Sequence, residues 1–260
     1  MLASRTMRSL FRSRDAEPAV IVEPVPTVFP SMAGADIAAV FAGKRVAGDF
    51  YDSIRVSPQR VLIGLLDVAG RRDDSRHLLN AAQDIFRSAG RELFSVTDVN
   101  ESDAMTELNH RLNRGLIDAC CGVRSCPAFI ACYHEVFGTL CYTNAGHLPG
   151  LLRDSTGITE LDSTGLPLGL FSHATADARI VGLEKGAALL LVSRGLIACE
   201  GRSNGSSDEF GLDRVKDFFQ HAAGLGARAL CEAILRSVND FGGNVPLCDD
   251  RTALALLRTA

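Results

Sequence analysis

Hydrophobic positions recur along this chain with two different periods. Leu78, Leu79, Ala82, Ile85, Phe86 and Ala89 fall at helical spacing, and Ala104, Met105, Leu108, Leu112 and Leu116 do so again. Each set predicts a helix with one buried stripe. Leu212, Val215, Phe218 and Phe219 predict a third helix, and Leu230, Ala233, Ile234, Val238 and Phe241 a fourth. Runs rich in Val, Ile, Leu and aromatic residues at 60–68, 128–134, 139–144, 148–152, 187–193 and 252–257 predict strands. The strands come in consecutive blocks and the helices in pairs, which predicts an α+β layering rather than a doubly wound parallel sheet.

No internal repeat and no second proline-rich break interrupts this pattern, so a single domain is expected over 28–260. Residues 1–27 differ. Arg5, Arg8, Arg12 and Arg14 are followed by Pro18, Pro24 and Pro26, which predicts a basic, solvated leader. Leu2, Met7, Leu10 and Phe11 accompany the arginines and leave membrane-surface or partner docking as the alternative. Segment 201–208, with Gly201, Ser203, Asn204, Gly205, Ser206 and Ser207, is expected to be a surface loop.

Composition narrows the function classes. With 47% hydrophobic and 22% charged residues over 260 positions, the chain is neither disordered nor fibrous. Lys and Arg total 27 against 31 acids, a net charge of −4, which argues against nucleic acid as the main partner. No apolar stretch approaches the roughly 20 residues that a transmembrane helix needs, and no signal-peptide pattern follows the first arginines. Of the 8 cysteines, Cys120, Cys121, Cys126, Cys132 and Cys141 lie among apolar neighbours and none forms a CxxC pair. They are expected to be reduced core residues of a cytoplasmic protein, not structural zinc ligands.

The chemistry-bearing residues are acids at strand ends. Asp67 closes the apolar run Val61-Leu62-Ile63-Gly64-Leu65-Leu66, so its carboxylate leaves a buried sheet at the rim, where desolvation must be offset by a cation or hydrogen bonds. Asp49 and Asp52 flank Phe50-Tyr51 just before that strand, and Asp249-Asp250 precede the strand Ala253 to Leu257. Three oxygen-rich clusters bracketing two strands suit a hard divalent cation such as Mg²⁺ or Mn²⁺, which can activate a water for attack on phosphorus. His147, in Asn144-Ala145-Gly146-His147, is expected to serve a tight turn between strands, and Cys248, lacking a basic partner in sequence, is not expected to be a nucleophile.

These residues carry a resemblance. The segments VAGDFYD (46–52), LLDVAG (65–70), YTNAGHLPGLL (142–152), GLPLGL (165–170), LLLVSRGLIAC (189–199), EFG (209–211) and CDDRTALALLR (248–258) resemble, in order and spacing, the PPM-type (type 2C, metal-dependent) serine/threonine protein phosphatases of the bacterial stage-II-sporulation branch. The resemblance implies a β-sandwich of two antiparallel sheets flanked by helix pairs, with a two-metal site at one edge. It places the Mg²⁺ or Mn²⁺ ligands at Asp49, Asp67 with the carbonyl of Val68, position 194, and Asp249. It also implies a phosphorylated regulatory protein, of the anti-sigma-antagonist kind, as partner.

Position 194 departs from the pattern, because Ser193-Arg194-Gly195 stands where the family has an acid. A guanidinium is charged at every working pH and cannot ligate a cation. One metal position is therefore expected to be weakened. Arg194 then serves either as a counter-ion to the carboxylates or, with Arg71, as a phosphate-binding group. Ala47 and Arg72 depart from the branch as well. Two functions follow from the resemblance: hydrolysis of phosphoserine or phosphothreonine by a metal-activated water, or a phosphatase-like binding module whose turnover is weakened or lost.

Overall fold

The computed structural model describes residues 25–43, 48–68, 72–119, 125–203, 206–243 and 249–260, without the side chains of 72–74, 202, 203, 206 and 207. Twelve strands are described: β1 (Ala35–Ala42), β2 (Gly48–Ser57), β3 (Arg60–Val68), β4 (Ala128–His134), β5 (Thr139–Ala145), β6 (Gly150–Asp154), β7 (Gly157–Leu161), β8 (Arg179–Gly182), β9 (Ala188–Val192), β10 (Glu200–Ser203), β11 (Ser206–Glu209) and β12 (Arg251–Arg258). The described helices are α1 (Arg72–Phe94), α2 (Glu101–Ala119), α3 (Arg194–Ile197), α4 (Gly211–His221) and α5 (Ala227–Gly242).

Two five-stranded antiparallel sheets stack on each other, one in the order β1-β12-β9-β6-β7 and one in the order β2-β3-β4-β5-β8. Strand alternation explains why three separate cores form. On β3, Val61, Ile63 and Leu65 face the other sheet and join Leu189, Leu191, Leu254 and Leu256 between the sheets. Leu62 and Leu66 face the opposite way, onto Leu79, Phe86, Met105 and Leu108 of α1 and α2. On the far side, Leu190, Val192, Ala253 and Ala255 pack against Phe219, Leu230 and Ile234 of α4 and α5. The four layers are therefore helix pair, sheet, sheet, helix pair, the architecture expected from the sequence.

Several details differ from the sequence expectations. Strand β6 begins at Gly150, not at 148, because Leu148 and Pro149 belong to the turn from β5. β1, β2, β7 and β8 are absent from the sequence expectations, and half of the first is alanine, which dilutes its β-type signal. Residues 200–203 and 206–209 pair as the antiparallel strands β10 and β11 rather than forming a loop, with Ser203 registered against Ser206. The overlooked signal is Asn204-Gly205, the dipeptide that favours two-residue hairpin turns.

Val25 and Thr27, inside the segment expected to be a solvated leader, are hydrogen-bonded to the domain. Val25 exchanges backbone hydrogen bonds with the Gln83 amide at 2.7 and 2.8 Å, and the Thr27 hydroxyl donates to Tyr51 O at 2.8 Å. Residues 1–24 lie outside the described residues. Cys126, Cys132, Cys141, Cys199 and Cys231 are buried free thiols, and burial pushes Cys141 and Cys231 up to about 12. Cys120, Cys121 and Cys248 are outside the described residues. Among the described residues no helix is long and apolar enough to cross a membrane.

Candidate functional site

The apolar rows between the sheets turn polar at one end of the sandwich. Along β3 the inward row Val61, Ile63, Leu65 continues to Asp67, and along β9 the row Leu189, Leu191 continues to Ser193. On β12 the row Leu256, Leu254 continues to Thr252. Asp49 on β2 lies directly across from Asp67 in the ladder. Period-2 alternation alone thus delivers Asp49, Asp67, Ser193 and Thr252 to one gap, two from each sheet.

Hydrogen bonds close this end. The Thr252 hydroxyl donates to Asp49 Oδ2 at 2.7 Å, joining the two sheets. Ser193 N–H donates to Thr252 O, and Thr252 N–H donates in turn to the Ser193 hydroxyl oxygen, both at 2.9 Å. Asp67 N–H donates to Pro127 O at 2.8 Å. Asp249 stands at the foot of β12 and takes the Asp250 N–H on its Oδ1 at 2.9 Å.

Two glycines permit the close approach of backbones here. A Cβ on Gly48 would lie 2.1 Å from the Val68 carbonyl oxygen, the candidate ligand. A Cβ on Gly195 would lie 2.2 Å from Asp250 O and 2.9 Å from Asp249 Cβ, so the first turn of α3 rests on the Asp249-Asp250 segment. This places Arg194, the exposed first residue of α3, beside the carboxylates.

The electrostatics show one shared field. Burial raises Asp49 from 3.8 to about 7, hydrogen bonds from Ser193 and Thr252 oppose that rise, and the charges of Asp67 and Asp249 add to it. Asp67, half-buried, is also raised, by burial first and then by Asp249, while the Arg194 guanidinium pulls it down. Asp49, Asp67 and Asp249 therefore act on one another, and Arg194 acts on Asp67. Unneutralised carboxylates with raised pKa values in a cleft are the condition a bound cation relieves.

The donors available, carboxylates and a backbone carbonyl, are those of a hard cation. Among the described residues no group of three or more His, Cys, Asp or Glu side chains is arranged to hold an ion on its own. Mg²⁺ commonly keeps several waters and uses one or two carboxylates, so Asp49, Asp67 and the Val68 carbonyl fit a hydrated ion better than a dry cage.

Other sequence-predicted residues fall elsewhere. Asp52, grouped with the acids by proximity in sequence, is three residues from Asp49 and so faces the opposite side of β2. It is fully buried against α1, where Arg87 Nε and Nη2 donate to its two oxygens at 2.6 and 3.0 Å. Arg71 lies outside the described residues, as does Ala47. Ser193 and Thr252 were missed as site residues, although each is the polar residue that ends an alternating apolar row.

His147 holds a turn, remote from acid–base work. Its N–H donates to Asn144 Oδ1 at 2.8 Å, and its Nδ1 lies 3.1 Å from Leu148 O. A carbonyl only accepts, so Nδ1 carries the proton. Nε2 is buried without a hydrogen-bond partner, and burial lowers the ring pKa to about 4. The unfolded chain, with an ordinary pKa near 6.5, takes up the proton first. This contribution to stability is full above pH 6.5 and is lost as pH falls towards 4, amounting to about 2 kcal/mol at pH 5. Urea midpoints at pH 7 and pH 5 should show that loss, and His147→Asn should reduce it.

Comparison with known families agrees with this architecture. The family profile described as Stage II sporulation protein E (SpoIIE) matches residues 57–259. The chain belongs to the SpoIIE family. Asp67, Arg194 and Asp249 lie inside the matched span, and Asp49 lies just before it but is tied to it by the β2–β3 ladder. No curated protein matches the sequence.

Among solved structures, the RsbU and RsbW domains of a Mycobacterium tuberculosis protein superpose with a TM-score of 0.71 at 24% identity, covering 89% of this chain and 62% of that one. The SiaA-PP2C domain of Pseudomonas aeruginosa gives 0.71 at 18% identity, covering 85% and 84%. The PP2C phosphatase domain of SpoIIE from Bacillus subtilis, with a fragment of its regulatory domain, gives 0.68 at 13%, covering 86% and 61%. This chain thus spans under two thirds of the first and third of these. At such identities the likeness establishes the shared fold.

Proposed function

We propose that this SpoIIE-family domain is a metal-dependent protein serine/threonine phosphatase that acts on a phosphorylated regulatory protein in the cytoplasm. The observation that carries the reading is the cross-strand pair Asp49 and Asp67 at the open end of the inter-sheet core, coupled to Asp249 and flanked by Arg194. Bound at this edge, Mg²⁺ or Mn²⁺ would supply Lewis acidity and a water of lowered pKa.

The chain's own residues have separable tasks. Asp67 and the Val68 carbonyl would hold the ion or its waters, with Asp49 oriented for the same purpose by the Thr252 hydroxyl. Asp249 adds negative charge on the side of α3. Arg194 projects from an exposed position and offers the planar fork that binds phosphate through two parallel hydrogen bonds. Arg71, four residues beyond Asp67, is the second phosphate-binding candidate. The partner class follows by analogy with neighbours that carry RsbU, RsbW and SpoIIE domains.

Mn²⁺-dependent release of phosphate from a phosphoserine peptide tests this directly. Asp67→Ala should reduce the rate by at least about 100-fold, because an interaction made in the transition state is lost. A rate that Asp67→Ala leaves intact would refute the proposal.

A second reading, a phosphoprotein-binding module with little turnover, is favoured by Arg194 in a ligand position and by the lack of a three-ligand group among the described residues. Calorimetric titration with Mg²⁺ and Mn²⁺ separates the two. A binding module should show no tight site, and two occupied sites would exclude it.

A further inference from the structure

At the Asp67 end of the sandwich lies a second recess, separate from the carboxylate cluster. It has a volume of about 370 Å³ and is lined by His110, Asn113, Arg114, Ser172, His173 and Thr175. No acid contributes to its wall. Among the described residues, His110, Arg114 and His173 have no acidic partner, unlike Arg111, which binds Glu92 and Glu107 at 2.8 Å each. One guanidinium and two imidazoles thus line one cavity with no acid paired to them among the described residues.

The recess is built onto the candidate catalytic edge. Arg111 of α2 reaches Glu92 of α1 and Gly115 lies against Ile85, so α2 runs antiparallel to α1, back toward the end where α1 begins after Asp67. Asp67 N–H binds Pro127 O, and the adjacent Cys126 exchanges hydrogen bonds with Leu168 at 2.8 and 3.0 Å. Asn113 then clamps the same loop, accepting Gly169 N–H and donating to Phe171 O, both at 2.9 Å. Hydrogen bonds, joined by the backbone at 126–127 and 168–169, link the wall of the recess to Asp67. The loop also exposes Leu166 and Phe171 at 52% and 57%, an apolar rim of the kind that protein contacts cover.

We infer that this recess is an anion subsite of the protein substrate: it takes a carboxylate or phosphate carried on a residue flanking the phosphorylated one, while Leu166 and Phe171 pack on the surrounding chain. This inference rests on the proposed phosphatase reading for the identity of the partner, and on the recess alone for its chemistry. A planar guanidinium with two imidazoles suits an oxyanion, and rigid coupling to Asp67 gives the flanking group a fixed spacing from the reacting phosphate.

Fluorescence anisotropy in EDTA, where no turnover occurs, tests it with three labelled phosphoserine peptides whose flanks carry alanines, glutamates or a second phosphoserine. The anionic flanks should bind at least tenfold tighter than the alanine flank, and whichever of the two is tighter identifies carboxylate or phosphate as the natural group. Arg114→Glu, on an exposed helical position, should bring the ratio to one or below, and His173→Ala should reduce it. Equal affinity for the three peptides, or a ratio that survives Arg114→Glu, would overturn the inference. Mn²⁺-dependent hydrolysis of p-nitrophenyl phosphate, which has no flank, tests the catalytic reading separately. Its absence alongside a persistent anionic preference removes the catalysis and leaves the subsite.

Discussion

Arg194→Asp is expected to lower the Kd for Mn²⁺ by at least about 100-fold, read by calorimetry. The exchange removes a fixed positive charge and adds a carboxylate next to Asp67 and Asp249. A unit charge at 4 Å is worth about 4 kcal/mol at an effective dielectric of 20, and the substitution changes the balance by two such charges. Hydration of the ion and of the new carboxylate cancels most of this, and a residual of about 2.7 kcal/mol corresponds to the hundredfold change. The site is built to receive the carboxylate, because the first turn of α3 already rests on Asp249 and Asp250 through Gly195. An unchanged Kd would mean that Arg194 does not control the charge of this edge, and the idea of a weakened metal position would fall.

Asp52→Ala is expected to cost about 3–5 kcal/mol of folding stability, the usual result of stripping one partner from a buried ion pair. For a domain of this size that is a fall in Tm of about 10 °C, measurable by circular dichroism. Asp52 is fully buried and gathers the Arg87 guanidinium, the Thr27 hydroxyl and the Ser53 N–H onto one carboxylate. Removing it leaves Arg87 with a partly desolvated charge and takes one hydrogen-bond acceptor from Thr27. The double variant Asp52→Leu with Arg87→Met should recover much of the loss, because an apolar pair of similar volume avoids the desolvation cost. A Tm within about 2 °C of the parent in Asp52→Ala would show that this network contributes little.

The difference between Asp49 and Asp52 shows what the sequence made legible. Strand β3 could be read because both of its faces are apolar: Val61, Ile63 and Leu65 toward the second sheet, Leu62 and Leu66 toward the helices. Its end at Asp67 then stood out. Strand β2 mixes Asp49, Asp52, Ser53, Arg55 and Ser57 with its apolar residues, so no clean alternation marks it. Without the strand, nothing separates two acids that stand three residues apart, although a pleat puts them on opposite faces. Motif resemblance points to Asp49, which the ladder sets directly across from Asp67, while proximity groups it with Asp52, which faces the helices and pairs with Arg87. Ser193 and Thr252 were hidden for a different reason: each matters only through a neighbour from another strand, and that pairing is a property of the folded sandwich.

The Thr252–Asp49 hydrogen bond links residues 203 positions apart and ties one sheet to the other at the mouth of the sandwich. Each sheet supplies part of the acidic edge, Asp49 and Asp67 from one and the approach to Asp249 from the other. The edge is in effect a caliper whose jaws are the two sheets, set by the thickness of the leucines between them. Any partner that pries the layers apart or presses them together changes the spacing of the carboxylates without touching one of them.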